Sequence, residues 1–453
     1  MKTQEYVINK NKNLKGSGVL SNISETKLDR ESFMVEFMDR NLAFINNMKL
    51  SKDALDYDNQ LILFKKKYLD YRSQWKNQPK EIIEKKIPSI ELEKHKVPPL
   101  CLDIEVASIC DLACPFCFRE FVATPDKIIN EKLCIDLIDQ AAEMGVPSIK
   151  FNWRGEPLLH PKLPVFIKYA KQKGILETII NTNATQLNEK KSKELIESGL
   201  DLIIYSFDGG SKKTYEKNRP GRFKENKFED VYQNIKTLKK MKDQLGSPFP
   251  FSKIQMILTK ETFNEQENFF KLFNDFVDEV TVNQYTERGG NISDLDEKSI
   301  EEYNKIRVKY NLKDNSPYMR DPHGKMYVSK KRIPCEQPFQ RLLVTYEGRV
   351  AMCCYDWGAT HPVGYVNELA FNNKNSYDDV MKKVKDRKKG FELLENIKMP
   401  NKLNEPAEKI NSLSEIWYGK EIDNVRCKQM SNEADKLEIC KNCSFKDTFD
   451  WIR

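Results

Sequence analysis

Between residues 100 and about 310, short β-rich runs alternate with amphipathic helical stretches, and this alternation constrains the fold more than any other feature of the chain. The runs are Leu100–Ser108, Ser148–Trp153, Glu177–Asn181, Asp201–Ser206, Lys253–Leu258 and Val280–Asn283. Helical intervals such as Asn130–Met144 and Pro161–Lys173 lie between them, with Gly145 and Gly174 where those helices stop. Six strand–helix repeats predict parallel βαβ units closing into most of a barrel: an α/β fold, a partial (β/α)6 TIM-like barrel. In such barrels the chemistry lies at the C-terminal ends of the strands.

The flanks read differently. Residues 1–95 form a helical N-terminal extension whose first 25 or so residues are polar and mobile. Met34, Phe37, Met38, Leu42 and Ile45, then Leu61, Phe64, Tyr68 and Tyr71, recur at three-to-four spacing. Glu81 to Pro99 is charged and broken by prolines, which suggests a linker. The barrel then occupies 96–310 and a small cysteine-rich domain 311–453, with a hairpin of Leu342–Tyr346 and Arg349–Met352 about Glu347-Gly348. Three domains suit 453 residues.

Composition narrows the classes. The hydrophobic share of 39% with 10% aromatic residues is globular. The start, Met1-Lys-Thr-Gln-Glu-Tyr, is polar and no apolar run nears a membrane span, so a soluble, cytoplasmic protein with no membrane partner is expected. A net charge of +7, with lysines spread among acids, does not point to nucleic acid. Eleven cysteines in a reducing compartment argue for metal or redox chemistry rather than disulfides, and with four histidines the thiolates must carry the metal.

Three of those cysteines follow the first β-run as Cys110-Asp-Leu-Ala-Cys114-Pro-Phe-Cys117. A loop of this spacing can wrap three corners of a 4Fe–4S cube and leave the fourth iron open to a small molecule. Zinc sites favour four ligands in paired C-x2-C knuckles, and only three cysteines cluster here. The spacing, down to Phe116, resembles that of the radical S-adenosylmethionine (SAM) enzymes. The resemblance implies that a reduced cluster passes an electron to SAM, the carbon–sulfur bond breaks, and the 5′-deoxyadenosyl radical takes a hydrogen atom from substrate.

Further motifs fit the same family. Arg154-Gly155-Glu156-Pro157 is similar to its G-G-E turn, with arginine for the first glycine, and implies that Gly155 and Glu156 hold the ammonium of SAM. By the same resemblance Asn183, in Asn181-Thr-Asn183, and Ser206, in Ser206-Phe207-Asp208-Gly209, face SAM; ordinary strand-end turns and a helix N-cap are the alternatives. Arg219 pairs with the SAM carboxylate or substrate, or else is a solvated loop arginine, and Phe116 packs on the adenine.

Cys335, Gly348 and Cys353, then Gly364-Tyr-Val-Asn367, Ile416-Trp417, Arg426 and Cys440-Lys-Asn-Cys443, resemble the SPASM or twitch extension of these enzymes. This implies one auxiliary 4Fe–4S cluster on Cys335, Cys353, Cys440 and Cys443, with Cys427 an alternative ligand and a zinc ribbon the alternative site. Cys354 is a candidate hydrogen-atom donor or proton acceptor, and Tyr355, Asp356 and Glu287 are candidate bases. The function so implied is oxidation, or epimerisation, of a sugar, cyclitol or similar small polar metabolite, fed by an external electron donor such as flavodoxin or ferredoxin. Peptide maturation is the alternative, disfavoured because residues 31–75 read as helix only. A non-catalytic iron–sulfur or zinc scaffold is the alternative of another class.

Overall fold

The computed structural model describes residues 23–26, 28–41, 54–117, 119, 125–258, 261–284, 319–320, 326–327, 334–356, 358–359, 361–372 and 410–441. Residues 1–22, Leu42, Ile45, Glu287 and Cys443 lie outside the described residues. From the N-terminus, β1 (Ile23–Thr26) is followed by α1 (Arg30–Phe37), α2 (Ala54–Lys85) and α3 (Ser89–Lys94). The described part of residues 31–75 is helical, as the sequence reads it, whereas the end of the stretch read as a mobile start forms β1, an antiparallel strand on the barrel edge with Ile23 opposite Val282.

The barrel strands β2 (Cys101–Ile104), β3 (Ser148–Lys150), β4 (Glu177–Thr182), β5 (Leu202–Ser206), β6 (Phe251–Leu258) and β7 (Glu279–Gln284) lie side by side in chain order. All five pairings are parallel, so the six-stranded partial barrel is as the sequence predicts. The intervening helices are α4 (Glu131–Glu143), α5 (Leu163–Gln172), α6 (Glu189–Glu197), α7 (Lys212–Asn218), α8 (Phe228–Gln244) and α9 (Gln266–Phe273). Side chains alternate across a strand, and one set of positions is apolar throughout: Leu102, Ile149, Ile180, Ile203, Ile254 and Val280 pack with the helices into the main core. Asn130 and Asn188 cap α4 and α6, and Gly145 and Gly174 stop α4 and α5 at positive φ, a conformation that costs glycine least.

After the two-stranded β8 (Met319–Arg320) and β9 (Met326–Tyr327), the chain forms α10 (Gln337–Gln340), β10 (Arg341–Val344), β11 (Arg349–Ala351), β12 (Pro362–Tyr365), α11 (Leu369–Asn372), α12 (Leu413–Trp417), α13 (Lys420–Met430) and α14 (Glu438–Lys441). The hairpin is where the sequence puts it, turning at Gly348 with φ of 99°. It is not a separate layer: β10 runs parallel beside β2, so the C-terminal region continues the barrel sheet.

The N-terminal helices close the floor of the barrel, at the strands' N-terminal ends. Phe33, Met34, Met38, Tyr68 and Tyr71 form a second core with Leu176, Ile179, Leu202, Phe249 and Phe251. At its centre the buried Glu177 takes both guanidinium contacts of Arg30, one at 2.8 Å, and hydrogen bonds from Tyr68 (3.3 Å) and Tyr71 (3.1 Å). Burial alone would raise the Glu177 carboxyl, but Arg30 holds it below its ordinary value. Removing Arg30 would strand a buried carboxylate, at a cost of about 3–5 kcal/mol.

The segment from Glu81 to Pro99 reads as a linker but is helix and strut. α2 passes through Pro79. Proline there cannot donate to the Trp75 carbonyl four residues back, and Gln340 Nε2 donates to that carbonyl instead, at 2.7 Å. The strut is held on the other side by the C-terminal helices: Trp417 Nε1 donates to the Val97 carbonyl at 2.9 Å, and Asp423 accepts from Ser89 N at 2.9 Å.

Candidate active site

The segment leaving β2 carries Cys110, Cys114 and Cys117 to the C-terminal end of the barrel. Cys117 N donates to the Cys114 carbonyl at 3.0 Å, which turns the loop back on itself. Asp111 ties it down: its carboxylate accepts from Asn183 Nδ2 (2.8 Å), Thr185 Oγ1 (2.6 Å) and Gln186 Nε2 (2.8 Å), all just beyond β4. Asn183 Nδ2 also lies 3.9 Å from Cys110 Sγ. From the far side, Ala113 N donates to the Pro220 carbonyl at 2.9 Å and Arg222 N to the Asp111 carbonyl at 2.8 Å.

The Gly155-Glu156 turn docks on the entry to this loop. Glu156 N donates to the Ile109 carbonyl at 2.9 Å. A Cβ on Gly155 would stand 2.3 Å from the Ala107 oxygen and 2.4 Å from that of Ile109, so only glycine fits. The Glu156 carboxylate accepts from Thr182 Oγ1 (2.7 Å), Asn183 N (2.7 Å) and Leu158 N (3.0 Å). Its burial raises the carboxyl to about 7 despite those bonds.

Arg154, which stands where the resembled motif has glycine, makes a bidentate pair with Glu105 at 2.6 and 2.8 Å, both side chains buried. Glu105 also accepts from Tyr346 N at 3.3 Å, and Trp153 Nε1 donates to the Cys354 carbonyl at 3.1 Å. This turn therefore joins the cysteine loop to the C-terminal hairpin. Arg219 is not a solvated loop residue: it is buried against Asp208, with Nε at 2.8 Å, and its guanidinium carbon lies 6.0 Å from the Phe116 ring centroid. Ser206 ends β5, with its hydroxyl 3.5 Å from Gln255 Nε2.

Burial pushes the Cys114 thiol up to about 12, opposed by the Arg219 charge, and raises Cys110 well above its ordinary value. Such thiols ionise when a metal supplies the missing positive charge. Three sulfur donors on one tethered loop, beside a turn that admits no side chain, fit a cluster bound through three irons with a small ligand at the fourth. Among the described residues no three Cys, His, Asp or Glu side chains stand close enough to hold a single metal ion, so the fit rests on the loop and its donors.

In the C-terminal region Gln429, buried on α13, links two of the expected auxiliary ligands. Its Oε1 accepts from Cys335 N at 3.0 Å and its Nε2 donates to Cys440 Sγ at 3.3 Å. Cys354 Sγ lies 3.2 Å from Gln337 Oε1, which brings the Cys353–Cys354 turn to the segment of Cys335. Cys427 is exposed, its sulfur 3.7 Å from Asp423. Asp356 is buried and accepts from His361 N at 2.8 Å, and its own N donates to the Cys353 carbonyl at 3.2 Å, closing the turn that contains Tyr355. Gly364 leaves room for Ile416, and the Arg426 guanidinium stacks 4.0 Å from the Trp417 ring centroid. Glu105 and Gln429 were beyond sequence reasoning, since each acts on a partner distant in the chain, while Asp111 and Asp208 stand inside quoted motifs that do not reveal their partners.

Residues 104–273 match the profile of the radical SAM superfamily. Among curated relatives, a tungsten-containing aldehyde ferredoxin oxidoreductase cofactor-modifying protein of Pyrococcus furiosus is 27% identical over 169 residues, 36% of this chain and 45% of that protein. A GTP 3′,8-cyclase of Chlorobaculum tepidum is 35% identical over 105 residues, 23% and 32% of the two chains. The chain thus spans less than half the length of these relatives. Among solved structures, Streptococcus suis SuiB bound to the precursor peptide SuiA superposes with a TM-score of 0.47 at 17% identity, covering 74% of this chain and 69% of that one. BtrN in complex with AdoMet and 2-DOIA superposes with a TM-score of 0.38 at 17% identity, covering 78% and 97%. No helix among the described residues is long and apolar enough to cross a membrane. Residues 104–273 of this chain are a radical SAM domain, the kind of domain that carries a 4Fe–4S cluster and SAM.

Proposed function

We propose that the chain is a radical SAM oxidoreductase acting on a sugar, cyclitol or similar small polar metabolite, with an auxiliary 4Fe–4S cluster in its C-terminal region. The bound cluster and SAM supply a 5′-deoxyadenosyl radical that removes a hydrogen atom from an unactivated carbon. Cys110, Cys114 and Cys117 hold that cluster; Gly155 and Glu156 receive the SAM ammonium, with Asn183 and Ser206 beside it. Arg219, already paired with Asp208, fixes the wall behind Phe116 and favours the thiolate of Cys114.

The observation that carries the oxidative reading is Gln429, which draws Cys335 and Cys440 together inside the C-terminal region. With Cys353 and Cys443 these thiols make a four-cysteine set that suits a fully ligated cluster. An auxiliary cluster held by these cysteines would serve as acceptor for one electron in the oxidation of an alcohol to a ketone, with a nearby base of this chain taking the hydroxyl proton. Tyr355 and Asp356 are the candidate bases. An external donor such as flavodoxin or ferredoxin supplies the electron that reduces the SAM-binding cluster. Where Cys354 instead returns a hydrogen atom to the substrate, the outcome is epimerisation.

A small substrate is favoured over a peptide because the N-terminal region is consumed in sealing the barrel floor. Electron paramagnetic resonance of the dithionite-reduced protein tests this reading. Two 4Fe–4S signals are expected, of which one shifts when SAM is added. A single signal would remove the electron acceptor and with it the oxidative reading.

A further inference from the structure

Arg154 stands where the resembled turn has glycine, and a guanidinium in so buried a place asks for an opposite charge. That charge comes from the seam where the C-terminal hairpin joins the barrel. β2 pairs with β10 up to Ile104 and Val344, and the next residue, Glu105, donates its N to the Val344 carbonyl at 2.8 Å. The Glu105 carboxylate then spans the seam. It takes Arg154 Nε and Nη2 at 2.6 and 2.8 Å from one side and Tyr346 N at 3.3 Å from the other.

Trp153 makes a second tie one residue earlier. It clusters with Leu343, Ala351 and Ala359 of the C-terminal region, with Cys354 packed against them, and its Nε1 donates to the Cys354 carbonyl at 3.1 Å. The Arg154 guanidinium carbon lies 4.4 Å from the Trp153 ring centroid, so the two side chains form one wedge. On the opposite side the turn lies flush on the cysteine loop. A Cβ at Gly155 would meet the Ala107 and Ile109 oxygens at 2.3 and 2.4 Å, and Glu156 N donates to the Ile109 carbonyl at 2.9 Å. The Gly155-Glu156 turn is thus clamped between the cysteine loop and the C-terminal region.

We propose that Trp153 and Arg154 are positioning residues for SAM: acting through Cys354 and Glu105, they make the C-terminal hairpin the backstop of the Gly155-Glu156 turn, and SAM affinity depends on that backing. A buried ion pair adds little net stability, and this one serves instead to fix one arrangement of its neighbours. A glycine at 154 would leave the Trp153–Cys354 bond as the turn's one polar tie to the hairpin. The inference rests on the assignment of Gly155 and Glu156 to SAM made above and adds what holds them in place. The cysteine loop has its own ties through Asp111, so iron binding there is independent of the wedge.

The test is calorimetric titration of SAM into the anaerobic, reconstituted full chain with its cluster left oxidised, so that binding is read without cleavage. Glu105→Gln/Arg154→Gly removes both charges together, leaves neither stranded, and restores the glycine of the resembled motif. It should weaken SAM binding by about tenfold, the scale of a lost supporting contact behind a ligand-binding group. Trp153→Phe keeps a ring and removes one hydrogen bond, and should weaken binding by about fivefold. Iron content should equal that of the wild type in both, and thermal melts check that they fold. Either variant binding SAM as the wild type does would overturn the inference, and so would loss of iron in step with SAM affinity, which would make the wedge a support of the fold at large. Glu156→Ala separates the two readings. If it binds SAM like the wild type, the SAM assignment of the turn falls and the inference with it; if it alone loses affinity, only the inference falls.

Discussion

Cys110, Cys114 and Cys117 belong to one loop of eight residues, whereas Cys335, Cys353 and Cys440 come from three separate segments of the C-terminal region. The first site is shaped by its own short chain and then fastened, by Asp111 to the end of β4 and by the Pro220–Arg222 stretch from the other side. The second needs a side chain to gather it, and Gln429 does so by holding Cys335 and Cys440 from one buried amide. A local site tolerates change in its surroundings; a distributed one depends on each residue that bridges its parts.

The largest effect that could break this contrast comes from the ligands themselves. Cys440→Ala should lose about four of about eight irons per chain yet still form 5′-deoxyadenosine, as measured by iron analysis and chromatography of the products. If the variant keeps all its iron, Cys440 is no ligand and the distributed site is wrongly drawn. Next in size is Gln429→Leu, which removes the bridge without touching a sulfur. Iron retention at the C-terminal site should weaken by about tenfold against a chelator while the SAM-binding site holds. Equal loss from both sites would mean that Gln429 supports the fold as a whole.

Glu156 sharpens the local side of the comparison through pH. Its carboxyl is raised by burial from the ordinary 4.5 to about 7. A raised carboxyl favours the folded state when protonated, so its stabilising effect is full below about 4.5 and is lost as pH climbs through about 7. Binding of the SAM ammonium asks for the opposite charge state, so SAM affinity should rise across that same interval. Glu156→Gln should flatten both trends; a SAM affinity that stays level in the wild type from pH 6 to 8 would contradict the assignment. The smallest effect belongs to Cys427→Ser. An exposed thiol turned toward Asp423 should leave the iron content unchanged, and a drop by half would make Cys427 the auxiliary ligand.

The same contrast decides what could be read in the chain beforehand. The cysteine loop and the barrel were legible because both are local: a strand is five or six residues of one pattern, and the predicted runs fall on β2 to β7. Gly155 was legible as a turn, and the structure shows why no other residue fits there. The Arg154–Glu105 pair, the Asp208–Arg219 pair and the Gln429 bridge were not, since each joins residues that no periodicity relates. The segment from Glu81 to Pro99 misled for a related reason. Its charges and Pro88, Pro98 and Pro99 argue against helix locally, but residues far along the chain hold it: Trp417 donates to the Val97 carbonyl and Asp423 accepts from Ser89 N. β10 reads as half of a hairpin, and its second partner, β2, is visible only once the sheet has closed.

The measurement that reaches the central claim most directly is iron and sulfide content of anaerobically purified protein, wild type beside the Cys110→Ala/Cys114→Ala/Cys117→Ala triple variant, with SAM cleavage assayed under dithionite. The account predicts about eight irons in the wild type, about four in the variant, and 5′-deoxyadenosine from the wild type alone. A wild type that holds no iron after reconstitution and leaves SAM intact would contradict it.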